Sequence, residues 1–375
     1  MKITAALSLV LAACAGTSQA GDPDAGAVGE TPPDSGFSGL PDAGPFATAT
    51  HEPFPHMPAH GGSTLRNLQL VTVTFQGYPY RTFVESFGGF VPRSQWLATA
   101  TQDFGPVTAT HLGGYVLDAP PDGANSDFAS VLQSSLVAGK LPFPQDSTGL
   151  LFLVYAPVPC GSNGGYHSFF NYSASRVAYA VSLNCQDGLG AEAVMTHEIA
   201  EAASDPFFDG YAFDDGQLPW VGEVGDICNF SPWSIEGGFR FLGIWSNSAA
   251  ASGGSACVPY SVGPYFNVSP LPAGPQTVDA GSSVTFTLTG WSTVQVPAWT
   301  VRASVDNYAG QDFDPQPVFS KNTVNNGEKV TLTLRVPGGT PSGAQATVRV
   351  ASELKAAVDG VTGFSNDWSL QVRVR

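Results

Sequence analysis

The sequence has few charged residues, and after its N-terminus it has no long hydrophobic run. Asp, Glu, Lys and Arg make up 12% of the 375 residues, against about 25% in an average soluble protein. Only 15 residues are Lys or Arg, while 31 are Asp or Glu, so the formal net charge is −16. This scarcity of positive charge excludes binding to nucleic acid or anionic lipid through a general electrostatic field. No later segment approaches the roughly 20 apolar residues of a membrane-spanning helix.

Glycine and proline are abundant instead, with 43 and 30 residues, and 43% of the chain is hydrophobic. The hydrophobic content is sufficient to form cores, and the length suggests two or three domains. This composition favours the loop-rich and β-rich folds of exported proteins over cytosolic helical folds.

The N-terminus has the pattern of an export signal. A positive charge and a short apolar run occupy residues 1–13 and lead directly to Cys14. This resembles the lipobox of bacterial lipoproteins, in which the cysteine is acylated and becomes the new N-terminus. Because Ala15 follows it, we expect an outer-membrane lipoprotein that contacts the membrane only through its lipid. The alternative is cleavage after Ala20 and secretion.

Residues 14–50 are predicted to form a disordered tether. Pro, Gly and Asp dominate there, and a Pro-Asp-(Ala/Ser)-Gly element occurs three times, so little can enter a core. His51, His56 and His60 follow, but prolines separate them, which favours an extended lead-in over a metal site. We expect one folded domain at 51–261 and a second at 262–375.

The chain has five cysteines, and setting the lipidation candidate aside leaves four. An even number in an exported chain suggests two disulfides, with three possible connectivities. Sequence neighbours favour Cys160–Cys185 and Cys228–Cys257, because each then closes a short loop. Metal binding by thiolates is disfavoured because no pair has Cys-x-x-Cys spacing.

Hydrophobic periodicity predicts both strands and helices in the first domain, and mostly strands in the second. In the first domain, strands are expected at Leu68–Phe75, Leu150–Tyr155 and Arg176–Leu183, and helices at Ser94–Phe104, Phe128–Val137 and Leu189–Ser204. In the second, strands are expected at Ser282–Leu288, Thr300–Ser304, Lys329–Val336, Ala346–Ala351 and Trp368–Val374. The spacing of these later strands is typical of an immunoglobulin-like sandwich.

The last helix of the first domain carries the sequence His197-Glu198-Ile-Ala-Glu201. Residues four apart share a helix face, so His197 and Glu201 could bind one metal ion. Glu198 lies where the zincin proteases place their general base. Those proteases usually have His-Glu-x-x-His, and a glutamate in the second position makes the site more negative and harder. The similarity to the zinc-protease motif predicts zinc, and the harder site admits manganese or calcium as alternatives. The competing interpretation is a solvated helix with two surface carboxylates.

Three further residues are candidates for the same site. Glu223 lies in a Glu-x-x-Asp element, the arrangement in which gluzincin proteases carry their third ligand, and Asp226 would then brace a ligand histidine. In the competing assignment, Asp226 is the ligand and Glu223 lies outside the site. The interpretation without a metal is a turn that exposes both acids. His167 could be a fourth ligand, a donor that stabilises an oxyanion, or a structural histidine.

The ordered combination of these pieces resembles the EXORDIUM, or phosphate-induced, family of extracellular proteins and its bacterial relatives, over about residues 61–260. The segments that carry it are Cys-Gly…Tyr-His-Ser (160–168), Cys185, His-Glu-Ile-Ala-Glu-Ala-Ala-Ser-Asp-Pro (197–206), Gly-Glu-Val-Gly-Asp-Ile-Cys (222–228), Trp-Ser-Asn (245–247) and Cys-Val (257–258). The resemblance implies an extracellular protein with zincin-like bacterial relatives, in which a glutamate at the second ligand position is usual. This chain departs from it by a longer acidic insertion at Phe207–Val221.

The sequence thus predicts an α+β zincin-like metalloprotease-type domain followed by an all-β immunoglobulin-like sandwich. The first expected function is that of an extracellular metal-dependent hydrolase that acts on peptides or proteins. The alternative is a non-catalytic surface protein on the same fold, with a cell-wall or surface ligand.

Overall fold

The computed structural model describes residues 46–105, 107–118, 127–159, 164–184, 190–213, 222–229, 233–259, 263–305, 312–355 and 364–375. The predicted signal peptide, Cys14 and nearly all of the tether lie outside these residues. Cys160 and Cys185 lie outside them as well, and so does the acidic pair Asp214 and Asp215 of the insertion.

The first part of the chain combines a large sheet with helices and short hairpins. Its strands are β1 (Asn67–Phe75), β2 (Thr108–Leu117), β3 (Leu150–Pro159), β4 (Gly165–Tyr172), β5 (Ser175–Asn184), β6 (Ala212–Phe213), β7 (Gly222–Glu223), β8 (Ser234–Glu236), β9 (Phe239–Phe241), β10 (Ile244–Trp245) and β11 (Cys257–Val258). Its helices are α1 (Arg81–Phe90), α2 (Gln95–Ala100), α3 (Phe128–Val137), α4 (Ala191–Ser204) and α5 (Asn247–Ser252), with 3-10 turns at Val91–Arg93, Gln102–Phe104 and Asp226–Cys228.

The large sheet has the strand order β2-β1-β3-β5-β4. Its neighbouring strands are parallel except for β4, which runs antiparallel to β5. Strands β1 and β3 are buried along nearly their whole length, as expected for parallel strands that are covered on both faces. Helix α3 packs against one face of this sheet through Phe128 and Leu132. Met195 and Ile199 of helix α4 belong to the core on the other face.

The remaining strands form a sandwich of two sheets. These strands are β12 (Phe266–Leu271), β13 (Gln276–Val278), β14 (Ser283–Ser292), β15 (Trp299–Val305), β16 (Gln316–Phe319), β17 (Thr323–Val324), β18 (Lys329–Arg335), β19 (Gln345–Leu354) and β20 (Phe364–Val374). One sheet has the order β12-β14-β18-β16 and the other β13-β20-β19-β15-β17. Large buried side chains, among them Trp291, Trp299 and Trp368, fill the core. The predicted immunoglobulin-like sandwich is therefore present, and all five predicted strands lie in it.

The lead-in before β1 joins the two parts. His51 stacks on Trp291 of the sandwich with ring centroids 3.7 Å apart, and Phe54 stacks on Trp368 at 5.0 Å. Further along, the backbone N–H of Leu65 donates to the carbonyl of Ala203 in α4, at 2.8 Å. Within the described residues, the lead-in forms no helix and only an isolated bridge at Ala59, and it is anchored at both ends.

The predicted fold class is wrong. Strands account for 43% and helices for 19% of the described residues, so the chain is mostly β-sheet rather than an α+β zincin-like domain with a β appendage. The zincin-like prediction rested on the metal-site motifs and the family resemblance, and the strand prediction missed the edge strands β2 and β4. Side chains of both edge strands are partly exposed, so neither strand shows clear alternation, and pairing with a neighbour stabilises them instead. In the described ranges, no helix is long and apolar enough to cross a membrane.

Candidate metal centre

Helix α4 is buried along its entire length. Its alanines allow close packing, and it begins after Gly190, whose φ of 100° is readily available only to glycine. The helix therefore carries Glu198 and Glu201, which are only 2% and 3% exposed, into the interior. The interpretation of a solvated helix with surface carboxylates does not hold.

The imidazole of His197 lies beside two carboxylates. Its Nε2 atom is 2.8 Å from Oε1 of Glu201 and 3.2 Å from Oδ1 of Asp226. Yet neither ring nitrogen of His197, which is fully buried, has a hydrogen-bond partner. Zinc ligands arranged tetrahedrally at about 2.1 Å from the ion are about 3.4 Å apart. The three atoms thus converge at a spacing that suits metal ligands, without the geometry of hydrogen bonds.

Asp226 reaches this position through the turn that contains it. Its N–H donates to Oε1 of Glu201 at 3.2 Å, and its Oδ2 accepts from the N–H of Glu223 at 3.0 Å. The turn ends at Cys228, which forms the predicted disulfide with Cys257. Both acids of the Glu-x-x-Asp element therefore face the helix, and they do not form an exposed acidic turn.

His167, on edge strand β4, lies on the other side of Glu201. Its Nδ1 is 3.5 Å from Oε2 of Glu201, and its Nε2 is 3.6 Å from Oε1 of Glu223. That Nε2 is also 3.1 Å from the main-chain carbonyl oxygen of Asp205. Oε1 of Glu223 is buried and has no hydrogen-bond partner. Glu201 therefore connects two groups of donors.

Glu198 completes the cluster. Its Oε2 is buried without a hydrogen-bond partner and lies 4.0 Å from Nδ1 of His167. Two glycines leave room for these side chains. A Cβ at Gly165 would come within 2.9 Å of Oε1 of Glu198, and a Cβ at Gly225 within 2.8 Å of Nδ1 of His197.

Burial strongly affects the ionisation of the acids in the metal-free cluster. It raises the pKa of Glu198 and of Glu223 well above the usual value. Burial, together with the charge of Glu201, raises the pKa of Asp226 to about 6. Glu201 is the exception: burial would raise its pKa, but His197 and His167 together outweigh burial and hold the pKa of this carboxyl well below its ordinary value.

The pKa values of the two histidines are raised, whereas burial alone lowers the pKa of a histidine. Burial alone would lower the pKa of His167, but Glu223 and Glu201 outweigh burial and raise it to about 9. Burial likewise opposes protonation of His197, but the charges of Glu201 and Glu198 raise its pKa well above the usual value. In the absence of a cation, protons on these groups offset part of the buried negative charge.

The structure thus brings together all six residues that the sequence proposed for the site: His167, His197, Glu198, Glu201, Glu223 and Asp226. The buried donor atoms without partners fit a bound cation, which would satisfy them. Sequence analysis missed Asp205, whose carbonyl contacts His167, although Asp205 directly follows the helix. His111 lies apart from the cluster, and its Nε2 is 2.9 Å from the hydroxyl of Thr72.

Comparisons with known proteins add little to this geometry. No protein-family profile matches the chain, and no curated protein does. Among solved structures, the chain is similar to the twitchin kinase region from C. elegans at 18% identity, over 30% of this chain and 16% of that one, with a TM-score of 0.18. It is also similar to a PapD-like domain of human CEP192 at 13% identity, over 29% and 84% of the two chains, with a TM-score of 0.20. A C. elegans MSP family member, WR4, matches at 12% identity over 29% and 97%, with a TM-score of 0.19. These scores are too low to carry an argument about the function of the chain.

Proposed function

We propose that this chain is an extracellular metal-dependent hydrolase that acts on peptides or proteins, with the ion held by His197, Glu201 and Asp226. The observation that carries the proposal is the position of Nε2 of His197. This atom is fully buried, has no hydrogen-bond partner, and lies 2.8 Å and 3.2 Å from two carboxylate oxygens. A structural histidine in the interior normally has a hydrogen-bond partner.

The donor set of one imidazole and two carboxylates fits zinc, and manganese is the next choice. Calcium fits less well because it takes six to eight oxygen ligands. When bound, the cation would supply Lewis acidity to a substrate carbonyl and to water.

The remaining chemistry is assigned to residues of the chain. Glu198 has a carboxylate oxygen that no other group engages, at the edge of the cluster. Because burial raises its pKa well above the usual value, this carboxyl holds a proton more readily than an exposed glutamate and can act as the proton acceptor. His167 lies beside Glu198, and the main-chain carbonyl of Asp205 orients the ring of His167.

A second function is supported by the burial of the same centre. Structural metal sites are closed, whereas catalytic sites keep an open position. His197 is not exposed at all, and only the side chains of Glu223 and Asp226, at 19% and 11%, reach the surface. A surface protein that binds a cell-wall or protein ligand and uses the cation for stability is therefore the alternative.

Hydrolysis of a fluorescently labelled casein, with zinc or manganese added, distinguishes the two. We expect Glu198→Gln to retain the metal and to lose nearly all activity. Glu192→Gln is the matched control, because Glu192 is a buried carboxylate on the same helix but pairs with Arg240 at 2.7 Å, away from the cluster. Full activity of Glu198→Gln would overturn the hydrolase mechanism. Metal binding without any turnover in the wild type would favour the structural role.

A further inference from the structure

The two oxygens of Glu201 face different histidines. Oε1 lies 2.8 Å from Nε2 of His197, and Oε2 lies 3.5 Å from Nδ1 of His167. A further carboxylate lies beside each histidine, Asp226 beside His197 and Glu223 beside His167. The result is two donor triplets that share one glutamate. Within each triplet, one donor atom from each residue lies within 4.8 Å of the other two.

When its acids are fully ionised, the cluster carries more negative charge than a single divalent ion compensates. Glu198, Glu201, Glu223 and Asp226 carry four negative charges when ionised. In the part of the chain that the structure describes, no Lys or Arg forms an ion pair with any of these four. One divalent cation would compensate two of these charges, and the other two would have to be offset by protons, as in the metal-free cluster. Two divalent cations with neutral imidazoles compensate all four.

Donor atoms without partners occur on both sides of Glu201. Nε2 of His197 is one, on the side of Asp226, and Oε1 of Glu223 is another, on the side of His167. Each of these atoms is buried, and each points to a different triplet. A single ion beside His197 and Asp226 would leave Oε1 of Glu223 unsatisfied.

The position of His167 agrees with a ligand role. The carbonyl oxygen of Asp205 lies 3.1 Å from its Nε2, and contacts of this kind commonly orient histidines that bind metals. The same ring lies 3.5 Å and 3.6 Å from carboxylate oxygens of Glu201 and Glu223.

We propose that the centre binds two divalent cations bridged by Glu201. The first ion takes His197, Glu201 and Asp226. Because Nε2 of His167 faces the carbonyl of Asp205, the second takes Nδ1 of His167, Oε2 of Glu201 and Oε1 of Glu223. This inference rests on the proposed function and deepens it, because paired ions about 3.5–4 Å apart can stabilise both the attacking and the leaving atoms of a hydrolysis. It assigns His167 to metal binding rather than to donating a hydrogen bond to an oxyanion.

The test is the stoichiometry of manganese in the purified full chain. The protein is stripped with a chelator, loaded with Mn²⁺, desalted, and analysed by mass spectrometry and electron paramagnetic resonance. We expect two manganese ions per chain and the multiline signal of an exchange-coupled pair. His167→Ala should retain one ion and lose the coupled signal. His60→Ala, which removes a histidine outside the cluster, should retain both ions.

The wild-type spectrum decides the question even if His167→Ala does not fold, and Glu223→Gln provides a second variant on a partly exposed strand. One ion per chain in the wild type would overturn the paired centre and leave the proposed function in place. Two ions without coupling would also overturn it, because the second would then lie elsewhere. No bound ion would overturn both this inference and the proposed function.

Discussion

Nε2 of His167 on strand β4 lies 3.1 Å from the main-chain carbonyl oxygen of Asp205, the residue that follows helix α4. This contact connects the edge of the large sheet to the end of the helix that carries His197 and Glu201. The side chain of Asp205 fixes the same region, because its Oδ1 accepts from the N–H groups of Asp209 and Gly210 at 2.6 Å and 2.7 Å.

Asp205→Ala should therefore weaken both folding and metal binding. It leaves two N–H groups without their acceptor, and we expect a loss of about 1–3 kcal/mol in the free energy of unfolding. The displaced carbonyl should also reduce metal affinity about 10–100-fold. Urea denaturation and competition with a chromogenic chelator measure the two effects. Asp209→Ala is the control, because it keeps the N–H of residue 209 and removes a side chain that is 46% exposed. Equal losses in both variants would contradict the role of Asp205.

Gly225→Ala tests whether the close approach of the backbone to His197 is needed. The added Cβ would come within 2.8 Å of Nδ1 of His197 and 2.9 Å of Oε1 of Glu201. Gly225 has φ −81° and ψ −42°, which alanine adopts without strain, so the effect reports on space alone. We expect metal affinity to fall at least about tenfold. Gly274→Ala, which meets nothing within 4 Å, should leave affinity unchanged. Wild-type affinity in Gly225→Ala would show that the ring of His197 need not occupy this position.

The stability of the metal-free protein should fall as pH rises. The pKa of Asp226 is raised from 3.8 to about 6 by burial and by the charge of Glu201, so the folded state loses stability as pH increases through that interval. The pKa of His167 is raised from 6.5 to about 9, because Glu223 and Glu201 outweigh burial. The stability contributed by its proton is complete below 6.5 and is lost as pH rises through 9. Both shifts have the same sign, because the folded state binds more protons than the unfolded chain.

Thermal unfolding of chelator-treated protein at about pH 5, 7 and 9 measures this dependence. The melting temperature should fall across the series, and Asp226→Asn should lose the part of the decrease that occurs below about pH 6. Added zinc should reverse the trend, since metal binding is favoured when its ligands are deprotonated. A melting temperature that rises with pH in the metal-free protein would contradict the pKa shifts.

The export prediction is tested in cells grown with radiolabelled palmitate. The wild-type chain should carry the label and fractionate with membranes, because acylation of Cys14 would supply the anchor. Cys14→Ser should be unlabelled, whereas Cys228→Ser, which removes a disulfide cysteine instead, should keep the label. Label on neither the wild type nor Cys228→Ser would favour cleavage after Ala20 and secretion.

The sequence by itself determined the local features of this protein. His197 and Glu201 share a face because helical periodicity is fixed by the backbone, whatever the surroundings. Helix α3 was predicted with its observed bounds for the same reason. The disulfide between Cys228 and Cys257 followed from nearness in sequence, and the sandwich strands from their alternation and turns.

Only the tertiary structure decided what depends on distant segments. It placed Asp226 beside His197 and Glu223 beside His167, a choice that the spacing of the Glu-x-x-Asp element left open. It also buried the helix, brought in His167 from an edge strand, and showed a chain that is mostly β-sheet. The physical reason is that strand pairing and loop positions are set by long-range packing, whereas a helix satisfies its own hydrogen bonds and carries its pattern in the sequence.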